Sequence, residues 1–227
     1  MTMQFHRNTQ PSDGHQKVRH VLYARAIDEL YSPFPAPTVY PRGEKERLYD
    51  LARQIIGNEP ITYLEFGVNR GTSLRKMLQI FTHQDARFFG FDSFEGLPEL
   101  WVAGMDKGHF ATSGHTPDIS DDRVTLVKGW FQNTVEKFLS ENKTKAPVLV
   151  HFDADLYSST LFLLTTLFHS ISDYYFVFDE YSPDEICAMY DFTRAYPVEF
   201  QYLASTCDEV GKPLQIFGRL RGVTFNP

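Results

Sequence analysis

Apolar positions recur along this chain with two periods, and the places where one gives way to the other mark its elements. Ile61 to Phe66 is rich in β-formers, whereas Leu74, Met77, Leu78 and Phe81 return at helical spacing. The pattern predicts a strand, a turn through Gly67 and Gly71, and a helix over 72–81. An earlier helix over 45–56 carries Leu48, Leu51, Ala52, Ile55 and Ile56 on one face. Beyond Phe81, strands at 87–91, 124–127, 147–152 and 174–178 alternate with helices at 131–140, 158–169 and 184–196. Segments 200–204 and 214–220 read as a closing pair of strands. Alternation of this kind predicts an α/β chain around a mostly parallel sheet. Such sheets bind ligands beyond the carboxyl ends of their strands, where the strand order reverses.

Two regions break the alternation. Val18, Val21, Leu22, Ala26, Ile27 and Leu30 suggest an amphipathic helix, and Pro33, Pro35 and Pro37 then make a stiff, extended connection. This divides the chain into an N-terminal extension, 1–44, and a domain over 45–227. The extension is expected to cover the site, to meet a second subunit in a homo-oligomer, or to dock on its own domain. The segment from Leu97 to Ser120 holds Trp101, Gly104, Gly108, Gly114 and Pro117 without a clear period. It is long for a compact domain and reads as a lid over a substrate or as a surface loop.

Composition adds exclusions. With 227 residues, 42% of them hydrophobic, the chain can bury one large core, or one core with an appendage. A formal charge of -7 and no dense Lys/Arg stripe argue against a nucleic-acid partner and favour small-molecule chemistry. Cys187 and Cys207 make neither a disulfide framework nor a metal-spaced pair, which fits a reduced cytoplasm. The first residues lack an apolar signal core and no run approaches a membrane span, so a soluble, cytoplasmic protein with no membrane partner is expected.

The glycine turn carries the first chemistry. Gly67 and Gly71 sit where the backbone turns tightly and a ligand can approach without a Cβ in the way. The helix that follows points free N–H groups and its positive dipole end toward the same place. Gly67-Val68-Asn69-Arg70-Gly71 lacks the middle glycine of a dinucleotide fingerprint, so a pyrophosphate fits poorly. Glu65, just before the turn, would repel phosphate but attract the cationic amino-acid end of S-adenosylmethionine. A strand-to-helix turn without a ligand is the plainer alternative. Acids stand at the other strand ends too: Asp92, Asp153, Asp179 and Glu180. Asp92 lies about twenty-five residues beyond the turn, near the distance at which a carboxylate accepts hydrogen bonds from a ribose. Asp153, Asp179 and Glu180 would make an oxygen-only cluster suited to a hard cation such as Mg2+ if their strands are neighbours.

The segments Leu64-Glu65-Phe66-Gly67, Gly90 to Glu99 (GFDSFEGLPE), Lys128-Gly129-Trp130-Phe131, His151 to Thr160 (HFDADLYSST) and Phe178-Asp179-Glu180-Tyr181 together resemble one group. They are similar to the macrocin O-methyltransferase-like family of class I S-adenosylmethionine-dependent methyltransferases, in order, over roughly 48–220. The resemblance implies a Rossmann-like, seven-stranded sheet with its last strand antiparallel and helices on both faces. It also implies methyl transfer to a hydroxyl on a sugar or another natural-product intermediate.

Carried over by position, Glu65, Gly67 and Gly71 would line the methionine part of the cofactor, with Ser73 and Asp153 also among the cofactor-binding positions. Asp92 would bind the ribose, and Ser93 and Trp130 would flank the adenine. Asp153, Asp179 and Glu180 match the family's metal triad, with Glu180 standing where better-studied members have Asp.

The proton acceptor is less constrained. Catechol-type relatives place a lysine three residues after the first metal Asp, and that position is Leu156 here. Of the loop histidines His109 and His115, His109 is the choice by resemblance to sugar-modifying relatives, and a solvated histidine is its plain alternative. Asp155 would orient the acceptor or act as the base, and His151 reads as a hydrogen-bonded core group. Two other readings remain: a metal-independent methyltransferase acting on oxygen or nitrogen, and a cofactor-binding protein without catalysis.

Overall fold

The computed structural model describes residues 38–102, 104–181 and 183–223. Thirteen elements follow one another: β1 (Thr38–Pro41), α1 (Glu46–Ile56), β2 (Thr62–Phe66), α2 (Thr72–Ile80), β3 (Arg87–Asp92), β4 (Val124–Lys128), α3 (Phe131–Glu141), β5 (Val148–Phe152), α4 (Tyr157–Phe168), β6 (Asp173–Phe178), α5 (Pro183–Ala195), β7 (Val198–Cys207) and β8 (Pro213–Gly222). The strands form one sheet in the order β1-β7-β8-β6-β5-β2-β3-β4. Strand β8 runs antiparallel to both β6 and β7, and the other pairings are parallel.

The expected seven strands are present, and an eighth joins them. β1 pairs with β7 at the sheet edge, immediately after the proline run read as a stiff connection, and it ends on a proline of its own, Pro41. The edge explains the tolerance: a proline has no N–H to give a ladder, and only an edge strand can spare one. The amphipathic helix and the proline run expected before residue 38 lie outside the described residues.

Both sheet faces are covered, which is why β5, Val148–Phe152, is buried along its whole length. On one face Leu64, Phe66, Val150, Phe152 and Phe178 pack with Val135 of α3, Leu163 of α4 and Phe192 of α5. On the other, Tyr63, Leu149 and Val177 pack with Leu48 and Tyr49 of α1 and Leu74 and Met77 of α2. The period of two along β2 and β5 then sends Glu65 and His151 toward the second face, where both are fully buried and directly opposite one another.

Chain order reverses at β2, which has β3 on one side and β5 on the other. The carboxyl ends of these three strands form the crevice expected of such a reversal. The long segment after β3 is tied down at its root. Leu97 N–H donates to the His109 carbonyl and Gly108 N–H to the Leu97 carbonyl, both at 2.9 Å. Leu97 and Trp101 pack on Leu156, so the segment lies across the β5 side of the crevice. Cys187 is buried and Cys207 half-buried, and no described helix is long and apolar enough to cross a membrane.

Candidate active site

The glycine turn leaves β2 with no room for a side chain. Gly67 has φ +99°, and a Cβ there would stand 1.8 Å from the carbonyl oxygen of Asp153. The turn is therefore clamped against the end of β5, with Asp153 N–H donating to the Phe66 carbonyl at 2.9 Å. Gly71 caps α2 in a left-handed conformation, φ +74°, and a Cβ there would meet Ile119 and Pro117. Its requirement comes from that backbone conformation, tightened by the long loop packed on it.

Asp92 organises the same turn from β3. Its Oδ2 accepts hydrogen bonds from the N–H groups of Val68 at 3.0 Å and Asn69 at 2.8 Å, and its Oδ1 accepts from Phe94 at 2.7 Å. Three backbone donors fix one carboxylate. Ser93 closes a short turn by accepting from Glu95 N–H at 3.1 Å.

A cavity of about 240 Å³ opens beyond these strand ends. One side is formed by Gly67, Asp92, Ser93, Trp130 and Phe131, the other by Asp153, Asp155, Ser159 and Glu180, with Leu97 and Phe110 contributed by the long loop. The first side offers aromatic surface and a carboxylate, groups that suit a purine and a ribose; the second is lined by carboxyl groups, oxygen acceptors that suit a cationic tail. The donor set fits S-adenosylmethionine, although the space where a Gly67 Cβ would stand is taken by the Asp153 carbonyl and not, as expected from sequence, left for a ligand.

The acids on the second side differ in their partners. Lys45 Nζ spans the Asp179 carboxylate, 2.9 Å from Oδ1 and 3.0 Å from Oδ2. The Tyr49 hydroxyl donates to Asp179 Oδ1 at 3.3 Å, and His151 Nε2 lies 3.3 Å from the same oxygen. His151 Nδ1 is 2.7 Å from the Tyr63 hydroxyl, which donates to Glu65 Oε2 at 2.6 Å. Ser73 Oγ donates to Glu65 Oε1 at 2.8 Å. One continuous polar chain thus runs beneath the cavity from Lys45 to Ser73.

These surroundings set the charges. Burial pushes Asp179 up, but His151 and Lys45 outweigh it and hold the carboxyl well below the usual range. Asp153 goes the other way: burial first, then the charges of Asp179, Asp155 and Glu65, push it well above the carboxylate range. Asp155, in a left-handed conformation at φ +59°, is pushed up to about 7 by burial and by Glu180 and Asp179. Burial also raises Glu65, against the opposing pull of His151, Tyr63 and Ser73. The cluster avoids stacking like charges by leaving some members protonated near neutrality.

Of the residues expected from sequence, Gly67, Asp92, Ser93, Trp130, Asp153, Asp155 and Glu180 line the cavity, whereas Glu65, Gly71, Ser73, His109 and Asp179 do not. Glu65 and Ser73 sit below its floor, and His109 lies in the loop with its ring against Phe110 at 4.3 Å. The expected Mg2+ triad meets a physical obstacle. Both oxygens of Asp179 already face the Lys45 ammonium, and among the described residues no three His, Cys, Asp or Glu side chains form a ligand group. As arranged, with Lys45 seated, Asp153, Asp179 and Glu180 do not fit Mg2+.

The family model Macrocin-O-methyltransferase (TylF) matches residues 33–201, well over half of the chain. The chain belongs to this family. It is an S-adenosylmethionine-dependent O-methyltransferase, and its acceptor is a small molecule. No curated protein matches its sequence.

Solved structures support the fold of this macrocin O-methyltransferase family member. The O-methyltransferase NovP aligns with a TM-score of 0.53 at 22% identity, over 78% of this chain and 79% of its own. CalS11, a TDP-rhamnose 3'-O-methyltransferase of calicheamicin biosynthesis, gives 0.52 at 22% over 93% and 96%. An O-methyltransferase from Bacillus cereus in complex with SAH gives 0.51 at 17% over 93% and 92%. These are likenesses of architecture, which is Rossmann-like and mostly parallel as expected.

Lys45, Tyr49, Tyr63 and Phe110 were absent from the sequence-based site. Lys45 and Tyr49 had one available signal, a spacing of four that places both on one helix face. Nothing local linked that face to Asp179.

Proposed function

We propose that the chain transfers the methyl group of S-adenosylmethionine to a hydroxyl of a small molecule, a sugar or another natural-product intermediate. The observation that carries this reading is the two-sided cavity at the β2, β3 and β5 ends, aromatic and ribose-suited on one side and lined by carboxyl groups on the other. Trp130 and Ser93 flank the adenine, and the unused lone pairs of Asp92 accept from the ribose hydroxyls. Gly67 and Asp153 border the methionine part, while Glu65 and Ser73, bonded to each other outside the cavity lining, brace the turn that carries Gly67. When bound, S-adenosylmethionine supplies a methyl activated on a sulfonium, so the protein has to align the acceptor oxygen and receive its proton. Asp155 is the proton acceptor in this reading, because it lines the cavity and its carboxyl titrates at about 7.

The sugar reading leans on the family and on CalS11, which acts on TDP-rhamnose. Mg2+ assistance is not part of the mechanism, given the pairing of Asp179 with Lys45. The division into an extension over 1–44 and a domain over 45–227 belongs to the same proposal, with the extension as a lid or subunit contact up to β1, which joins the domain's sheet, and the protein in the cytoplasm.

Calorimetry with S-adenosylhomocysteine, followed by transfer of labelled methyl across a panel of sugars and phenols, tests this reading. Trp130→Ala should weaken cofactor binding about tenfold, the loss of one aromatic contact. Absence of binding by the intact chain would overturn it. Tight binding without turnover over the whole panel would select the non-catalytic alternative.

A further inference from the structure

Lys45 sits just ahead of α1, the helix that packs beside α2, yet its ammonium ends on a carboxylate 134 positions further along the chain. Tyr49, one turn on along the same helix face, donates to that carboxylate and packs its ring against His151 with centroids 5.7 Å apart. Nζ is nearly equidistant from the two oxygens of Asp179 and so occupies the fork in which a cation binds a carboxylate in bidentate fashion. Asp153 and Glu180 add their attraction to the same ammonium. We propose that Lys45 is a tethered cation that pairs with Asp179, within the Asp153, Asp179 and Glu180 group, in place of a divalent metal ion.

A hard divalent ion needs carboxylate oxygens at about 2.0–2.1 Å with near-octahedral partners, and it cannot share the fork of Asp179 with an ammonium. Binding such an ion therefore requires expelling Lys45 and losing its pairing. The tether supplies positive charge without ligand uptake. Lys45 acts through Asp179 and is a positioning residue: it holds the acid fixed while Asp155 and Asp153 face the cavity. The inference rests on reading this cavity as the methyl-transfer site, but its test needs no turnover, so failure of either can be told apart.

The full-length protein, stripped with EDTA and loaded with S-adenosylhomocysteine, is titrated with Mn2+ and free ion is read by electron paramagnetic resonance. The wild type should take up no saturable Mn2+ to about 1 mM, the weak end of biological sites. Lys45→Met should create one site binding at least tenfold more tightly, and Lys45→Arg, which keeps the cation, should behave as the wild type. A gain of metal binding on losing a side chain is an effect that a merely structural lysine would not produce. One equivalent of Mn2+ held by the wild type as tightly as by Lys45→Met would overturn the proposal, as would no gain in Lys45→Met. Should that variant not fold, Lys45→Gln is read by the same criteria.

Discussion

The two sides of the cavity are held by different physics. The cofactor side is held by the backbone: Asp92 takes N–H groups from Val68 and Asn69 only 24 and 23 positions away, and Gly67 is clamped to the Asp153 peptide. The acid side is held by side chains from distant elements, with Lys45, Tyr49 and His151 meeting on Asp179. Backbone contacts fix a shape with little freedom to change, while side-chain contacts set a charge pattern that one substitution can rewrite. Shape for the donor and charge for the acceptor are thus separable in this site.

Gly67 is the place to break that separation, because both sides depend on it. In Gly67→Ala the new methyl meets a carbonyl oxygen, not a flexible side chain, at a φ that L residues rarely adopt. Strain and overpacking together should cost roughly 2–6 kcal/mol. Denaturant unfolding should show the loss of stability, and calorimetry the loss of S-adenosylhomocysteine binding. A variant with near-native stability and binding would mean that β2 and β5 are not clamped as described.

The same contrast decides what could be read in the sequence. The helices and seven of the eight strands were legible because hydrophobic period is local, and so was the place of Asp92 at a strand end, whereas its hold on the N–H groups of Val68, Asn69 and Phe94 was not read. β1 was not, since the prolines at 33, 35 and 37 that precede it read as a connection, and its own Pro41 suits a strand only at an edge. The pairing of Lys45 with Asp179 was illegible for a different reason. Which side chain lies across a sheet end depends on where α1 packs, and no spacing along 134 residues encodes that.

Asp155 sharpens the comparison by testing charge alone. Asp155→Asn preserves shape, so S-adenosylhomocysteine binding should stay near the wild-type value while kcat/KM falls about 10²–10⁴-fold, the usual worth of a general base. In the wild type, kcat/KM should climb with pH up to about 7 and then level off, because the carboxylate must be ionised to take a proton. Stability should run the other way. A folded-state value above the ordinary one means that the native protein binds more protons between the two, so this residue lowers stability as pH rises toward 7. Above that point the penalty is complete, and Asp155→Asn should remove it. Persistence of the pH limb in the variant would assign the base elsewhere.

The smallest effect should come from His109, and it separates the two candidate bases. Its carbonyl oxygen accepts the Leu97 N–H that closes the long loop, a backbone role that any residue can fill. Its ring makes an edge contact on Phe110, which in turn borders the cavity. His109→Ala should therefore raise KM by at most about fivefold through a looser Phe110, with kcat and its pH limb unchanged. A fall in kcat of a hundredfold or more would show that the loop carries its histidine into the cavity during turnover. The acid side would then supply charge and position, and the proton would leave through the loop.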